Sequence, residues 1–259
     1  MDDKKRISPM YKFIKWLVHL VYPITTVFGA EDLSDEPCIV VGNHTQMNGP
    51  IVSELYLPGK HYTWCAGEMM DLRSVPAYAY RDFWWTKPVW IRWFYKLLSY
   101  IIAPISVCIF NNAETIAVWH DTRIISTFRV TMRRLAEGSY VVIFPEQNEP
   151  YNHILYGFQD KFIDVAKFYY KKTGQALRFV PMYIAPTLRS TYIGSPIRFH
   201  PDAPMNEERL RIRNYLMEEI TRMAESLPEH TVVPYLNLPK KDYPKNTARK
   251  ESSDEDTSC

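Results

Sequence analysis

Uncharged, largely apolar runs at 38–42, 62–66, 105–109, 140–144 and 179–184 alternate with longer segments that mix apolar and charged residues. Runs this short, rich in Val and Ile and bounded by polar or turn residues, predict strands covered on both faces. The segments between them carry apolar residues at helical spacing and predict helices at 50–56, 89–102, 123–137, 159–170 and 206–226. Gly138 stands just past the third of these, where a helix favours a residue with left-handed backbone. Strands alternating with helices predict an α/β fold with a central, mostly parallel or mixed sheet flanked by helices.

The two ends differ from this body. In residues 1–30, Lys4, Lys5 and Arg6 precede a segment with Phe13, Ile14, Leu17 and Val21 on one helical face and Lys12, Lys15 and His19 on another. The uncharged run 16–30 is short of the ~20 residues needed to span a bilayer, and Pro23 interrupts it. Lys12 and Lys15 inside the wider apolar region and the bulky Trp16 and Tyr22 do not fit a signal peptide. The expectation is an N-terminal amphipathic helix at a membrane interface, with packing on the protein's own sheet as the competing reading. The α/β domain is expected over 31–236. From 237 to 259 apolar residues thin out and the chain ends in acidic residues, which predicts a polar, disordered tail.

Composition sharpens the picture. Seven Trp and 18 Tyr exceed what a core of 259 residues requires, and aromatic rings with polar tips favour membrane interfaces. Trp84, Trp85, Trp90, Trp93, Phe94, Tyr95 and Tyr100 cluster with Arg92 and Lys96 ahead of an uncharged stretch, suggesting an element that dips into lipid headgroups. The 31 basic and 29 acidic residues nearly balance, which argues against nucleic acid as a partner. Cys38, Cys65, Cys108 and Cys259 have no paired spacing, so neither disulfides nor a metal site is expected, in keeping with a reducing cytoplasm.

The candidate chemistry lies at two strand ends. Cys38-Ile39-Val40-Val41-Gly42 delivers Asn43-His44 into a turn, and a helix is expected from Pro50, with Asn48 or Gly49 at its cap. A histidine at the carboxyl end of a strand is where open α/β sheets build sites, and it titrates near neutral pH. The run ending in Phe144-Pro145-Glu146 places a carboxylate at a second strand end. Glu146, Glu149 and His153 together match no established metal pattern. No serine or cysteine sits in a nucleophile-elbow context, so a direct transfer with His44 as general base is favoured over a covalent intermediate.

Asn43-His44, Phe144-Pro145-Glu146, the segment from Phe158 to Ala166 and Val180-Pro181 follow one another in an order that resembles the glycerolipid acyltransferase superfamily, the lysophosphatidic acid acyltransferases and their relatives. The resemblance covers roughly 37–199. It implies acyl transfer from acyl-CoA or acyl carrier protein to a lipid-like acceptor, with no further cofactor. It also implies phospholipid or glycerolipid metabolism, membrane lipids as partners, and a peripheral position on the inner face of the cell membrane. His44 and Glu146 would be catalytic. Asn43, Asn48, Gly49, Asn111, Pro145 and Gln147 would line the substrate.

The sequence also departs from the family. The aspartate that follows Asn-His after four intervening residues is replaced by Gly49, the Gly-Thr-Arg after the glutamate by Gln147-Asn148-Glu149, and the arginine after the middle strand by Asn111-Asn112. The resemblance gives the aspartate the role of orienting the histidine and the arginines that of holding phosphate. Glu146, Glu54 and Asn48 are then the candidates to orient His44. A catalytically silent lipid-binding or scaffolding protein of the same fold is the alternative, and a hydrolase using the same histidine a third reading.

Overall fold

The structure, a computed structural model, describes residues 7–34, 36–85, 87–119 and 121–247. Lys4, Lys5, Arg6, Cys259 and the acidic end of the tail lie outside them. In chain order the elements are α1 (Pro9–Val21), β1 (Thr26–Phe28), β2 (Cys38–Gly42), α2 (Asn48–Tyr56), β3 (His61–Ala66), α3 (Val75–Ala79), α4 (Arg92–Asn112) and β4 (Thr115–Val118). There follow α5 (Ile124–Ala136), β5 (Tyr140–Ile143), β6 (Glu146–Tyr151), β7 (Tyr156–Phe158), α6 (Asp164–Thr173), β8 (Arg178–Ala185), β9 (Ser190–Ile193), β10 (Ile197–Arg198) and α7 (Met205–Ser226).

The main sheet runs β1-β9-β8-β2-β5-β3-β4, with β10 pairing the start of β8. Strands β8, β2, β5, β3 and β4 are mutually parallel, while β9 and β10 pair antiparallel with β8. This is the mixed, mostly parallel α/β sheet that the sequence pattern predicts. Successive residues point to opposite faces. Ile39, Val41, Val141, Ile143 and Phe179 pack with Leu135 of α5, Val165 of α6 and Ile212, Leu216 and Ile220 of α7. Cys38, Val40, Val142, Val180, Met182 and Ile184 pack with Val52 of α2 and Leu57 on the other side. Burial on both faces is why β2, β5 and all of β8 beyond Arg178 are apolar.

Three expectations fail. Residues 105–109 are not a strand but the second half of α4, which carries Pro104 inside it. The strand beside β3 is β4, after the helix. Glu146, Glu149 and His153, expected to share one loop, do not, because β6 and β7 pair as a hairpin and His153 lies in the turn between them. The expected disordered tail does not begin at 237. Asn246 is fully buried: its Oδ1 accepts from His230 N at 2.8 Å, and its Nδ2 donates to Ala224 O at 2.8 Å and Leu227 O at 3.2 Å.

Helix α1 docks on α2 through Glu54, whose Oε1 accepts from Tyr11 Oη and Lys15 Nζ, each at 2.5 Å. Its outer face leaves Phe13, Trp16, Leu20 and Val21 exposed. The neighbouring 24 residues Val89–Asn112 are long and apolar enough to cross a membrane, with mean hydropathy 1.6 over an 18-residue stretch within them. However, α4 is fastened to the body. The small Ser99, Ala103 and Ser106 are buried, Ser106 Oγ donates to Met69 O, and Asn111 Nδ2 donates to Met70 O. Asn112 Oδ1 accepts from Ser8 N at 2.9 Å. Trp90, Trp93, Leu97, Tyr100 and Ile101 are left facing outward.

Replacing the buried amide at 246 strands the groups it satisfies, each at a cost of roughly 1–3 kcal/mol. Asn246→Ala is therefore expected to lower the unfolding free energy by about 2 kcal/mol in urea titration. An unchanged midpoint would show that residues 237–247 contribute nothing to the fold.

Candidate functional site

The carboxyl ends of the parallel strands share one edge of the sheet, and His44 and Glu146 leave adjacent strands there, β2 and β5. Glu146 is buried, and both its oxygens are occupied by backbone donors. Oε1 accepts from His44 N at 2.6 Å and Oε2 from Tyr156 N at 2.9 Å. Desolvation pushes its pKa up to about 7, against the two hydrogen bonds, which favour the charged form. The carboxylate thus holds the main chain of His44 and not its ring.

The His44 ring lies edge-on to Phe144 at 5.4 Å and to Tyr235 at 5.5 Å. Burial lowers its pKa, opposed in smaller measure by the backbone of Gln46 and of His44 itself, so the imidazole stays neutral at pH 7. Nδ1 is buried and, among the described residues, makes no hydrogen bond of ordinary geometry. The residues expected to orient it are engaged elsewhere. Glu54 is held by α1. Asn48 accepts from Tyr22 Oη at 2.8 Å and donates to Thr45 O at 2.9 Å.

The turn after His44 explains the missing aspartate. Thr45 and Gln46 both have positive φ, 45° and 56°. Such backbone is uncommon outside glycine and strained for a β-branched residue. The turn closes with Gly49 N donating to His44 O at 3.0 Å. A Cβ at Gly49 would stand 2.5 Å from that oxygen and 3.0 Å from the Phe144 ring. The glycine is needed for space, and an aspartate has no room at this position.

Other expected roles move. Asn43 turns away from the cleft: its amide pairs with both backbone groups of Ile184, at 3.0 and 2.7 Å, and joins β2 to β8. Helix α2 begins at Asn48 with no side-chain cap, so neither Asn48 nor Gly49 caps Pro50. The amides of Asn48, Gly49 and Ile51 are committed to Thr45, His44 and Met47 carbonyls, so these three are not free to stabilise an oxyanion. Pro145 is buried and its carbonyl accepts from Gln159 N. Gln147 and Glu149 are exposed on β6. His153 faces Glu225, 3.2 Å away. Asn111 sits on α4 and follows no strand.

The sequence reading missed Gln46, in the same turn as His44, and Tyr156 and Tyr235, brought to the site by contacts distant in sequence. It also missed a cation. The middle strand is β4, and past its end Arg123 stacks over Trp119, 3.6 Å from the ring centroid. Asp121 binds this guanidinium through both oxygens, at 3.0 and 2.7 Å. Three strand spacings, about 14 Å, separate β4 from β2.

The sequence matches no protein-family model, and no curated protein matches it. Among solved structures it is similar to the crystal structure of the 1-acyl-sn-glycerophosphate (LPA) acyltransferase PlsC from Thermotoga maritima. That similarity has 19% identity and a TM-score of 0.44, over 84% of this chain and 78% of that one.

Gly49→Ala and Gly49→Asp should both destabilise the fold, by about 2 kcal/mol or more, because the colliding atoms are backbone. A Gly49→Asp protein as stable as the unaltered one would show that the turn can yield. For Glu146, the folded pKa stands above that of the unfolded chain. The unfolded state therefore loses this proton first, and stability falls by roughly 3 kcal/mol as pH rises from 4.5 to about 7. In Glu146→Gln this slope should vanish from urea titrations across that range, with a loss of about 1–3 kcal/mol at pH 4.5 because the amide NH2 faces a backbone donor. A slope unchanged by the substitution would assign the titration to another group.

Proposed function

We propose that the chain is a peripheral membrane acyltransferase. It would move an acyl group from acyl-CoA or acyl carrier protein to a lipid-like acceptor in phospholipid or glycerolipid metabolism, on the cytoplasmic face of the cell membrane. The observation that carries this reading is a neutral histidine, His44, held by its own backbone to the buried Glu146 at the carboxyl edge of a parallel sheet. A neutral imidazole can take the proton of an acceptor hydroxyl as its oxygen attacks the thioester carbonyl. The same proton then passes to the departing thiolate, so His44 ends as it began.

The membrane part of the reading rests on the outward aromatic and aliphatic residues of α1 and α4. An apolar surface of this extent needs a cover. A lipid surface fits it because Trp16, Trp90, Trp93 and Tyr100 stand among the aliphatic residues and basic residues such as Lys12, Arg92 and Lys96 are interspersed. The fastening of α4 along its inner side favours lying in the headgroup region over spanning.

A second reading, a catalytically silent lipid-binding protein, is favoured by the Nδ1 atom without a carboxylate. In the serine proteases, exchanging the orienting aspartate for asparagine lowers turnover about 10⁴-fold.

Purified protein should be assayed with acyl-CoA and acyl carrier protein donors against lysolipids with and without a terminal phosphate. Transfer is expected to favour phosphate-free acceptors, since Arg123 is already matched by Asp121 and Glu149 repels a dianion. His44→Ala should abolish it. An unaffected rate removes His44 as base, and no transfer at all with intact vesicle binding selects the silent reading. For the surface, Trp90→Ser with Trp93→Ser should weaken partitioning onto anionic vesicles roughly tenfold or more, measured by co-sedimentation. Equal partitioning excludes this face.

A further inference from the structure

We propose that residues 232–244 form a lid over His44, latched through Gln46, and that the same latch holds the histidine's turn in its working conformation. The proposal rests on the reading of His44 as the reacting group and adds a moving part to that site. The segment has the form of an Ω loop, a surface loop of 6–16 residues whose ends lie close together. Its neck is closed by the antiparallel bridge between Thr231 and Lys245 and by Val232 N donating to Pro244 O at 2.9 Å. Just outside the neck, the buried Asn246 fastens one end to His230, Ala224 and Leu227. His230 is itself seated, with Nε2 2.8 Å from Tyr183 Oη and Nδ1 2.8 Å from Pro228 O. The two ends are fixed, and the loop between them reaches over the sheet edge.

The inner side of this loop meets the site. The Tyr235 ring stands over His44 and also contacts Tyr156, at 6.3 Å. Among the described residues, one amide carries the hydrogen bonds from the turn to Leu236 and Tyr243 of the loop. Gln46 Nε2 donates to Leu236 O at 3.3 Å and to Tyr243 Oη at 2.9 Å. Leu238, Lys240 and Lys241 face solvent on the outer side. The Tyr235 edge covers part of the half-buried His44, and among the described residues the hydrogen bonds between loop and turn run through the Gln46 side chain. Val232 roots the neck in the core, and the segment beyond it has the construction of a lid.

Gln46 also belongs to the strained turn. Two successive left-handed residues, Thr45 and Gln46, persist when their surroundings over-determine them. On one side Asn48, itself held by Tyr22, grips the Thr45 carbonyl. On the other side the loop grips the Gln46 side chain. Opening the loop frees that grip, so lid closure and the placement of His44 are one event.

The test uses the full chain and diethyl pyrocarbonate, which acylates neutral imidazole, with labelling of each histidine followed by mass spectrometry. Burial keeps the His44 ring neutral, so slow labelling reports cover and not charge. His19 and His200 are exposed and serve as internal references. In the unaltered protein His44 should label at least tenfold more slowly than His200. Gln46→Ala and Tyr243→Phe should each raise the His44 rate several-fold and speed amide hydrogen exchange within 232–244, with His19 and His200 unchanged. Tyr243→Phe removes one latch bond while keeping the ring, so it decides the matter alone if Gln46→Ala does not fold. His44 labelling as fast as His200 in the unaltered protein would overturn the lid. So would variants with neither readout changed. Neither readout involves acyl transfer, so a chain that transfers nothing but shows latch-dependent protection keeps the lid and loses the catalytic reading.

Discussion

The carboxylate of Glu146 is withdrawn from water at the end of β5, where it binds the N–H groups of His44 and Tyr156. Three chain segments converge on it: the turn leaving β2, the start of β6, and β7. A backbone N–H at the end of a buried strand needs a partner, and an unsatisfied one costs as much as a lost hydrogen bond. Glu146 supplies that partner for His44 and fixes where the histidine leaves the sheet. The cost appears in its own titration, since burial outweighs two good donors and carries its pKa toward neutrality.

From that anchor the site is built by close approach. Gly49 brings the start of α2 against the His44 carbonyl, which turns Thr45 and Gln46 left-handed between them. The turn is then held from both ends of the chain. Tyr22, at the end of α1, reaches it through Asn48, and Tyr243 and Leu236 reach it through Gln46. The helix proposed to meet lipid and the loop proposed to cover the site therefore both bear on one strained turn.

Much of this was legible in the sequence. Continuous apolar runs marked β2, β5 and β8, because a strand covered on both faces has no polar side to display. His44 and Glu146 were legible as polar groups at abrupt strand ends. Residues 105–109 misled because Ile, Val and Cys after a proline look like a strand. In the structure the proline stays inside α4, whose small residues pack on the body while the large ones face out. That error displaced the middle strand and hid Arg123, although Thr115-Ile116-Ala117-Val118 followed by Asp121 and Arg123 carried the signal. The short strands β1, β9 and β10 have too few residues to show a period. The contacts of Tyr235, Tyr243 and Asn246 join positions far apart in the chain, where local pattern is silent. The steric bar at Gly49 depends on a carbonyl oxygen whose position no sequence states.

The central claim is that His44 works as an uncharged ring in apolar surroundings, with no carboxylate to support an imidazolium. Nuclear magnetic resonance titration of histidine-labelled protein measures this directly. The account expects the His44 resonances to titrate below the ordinary histidine value of about 6.5, in the direction burial dictates. A His44 pKa above that value would reveal a supporting carboxylate and contradict the account.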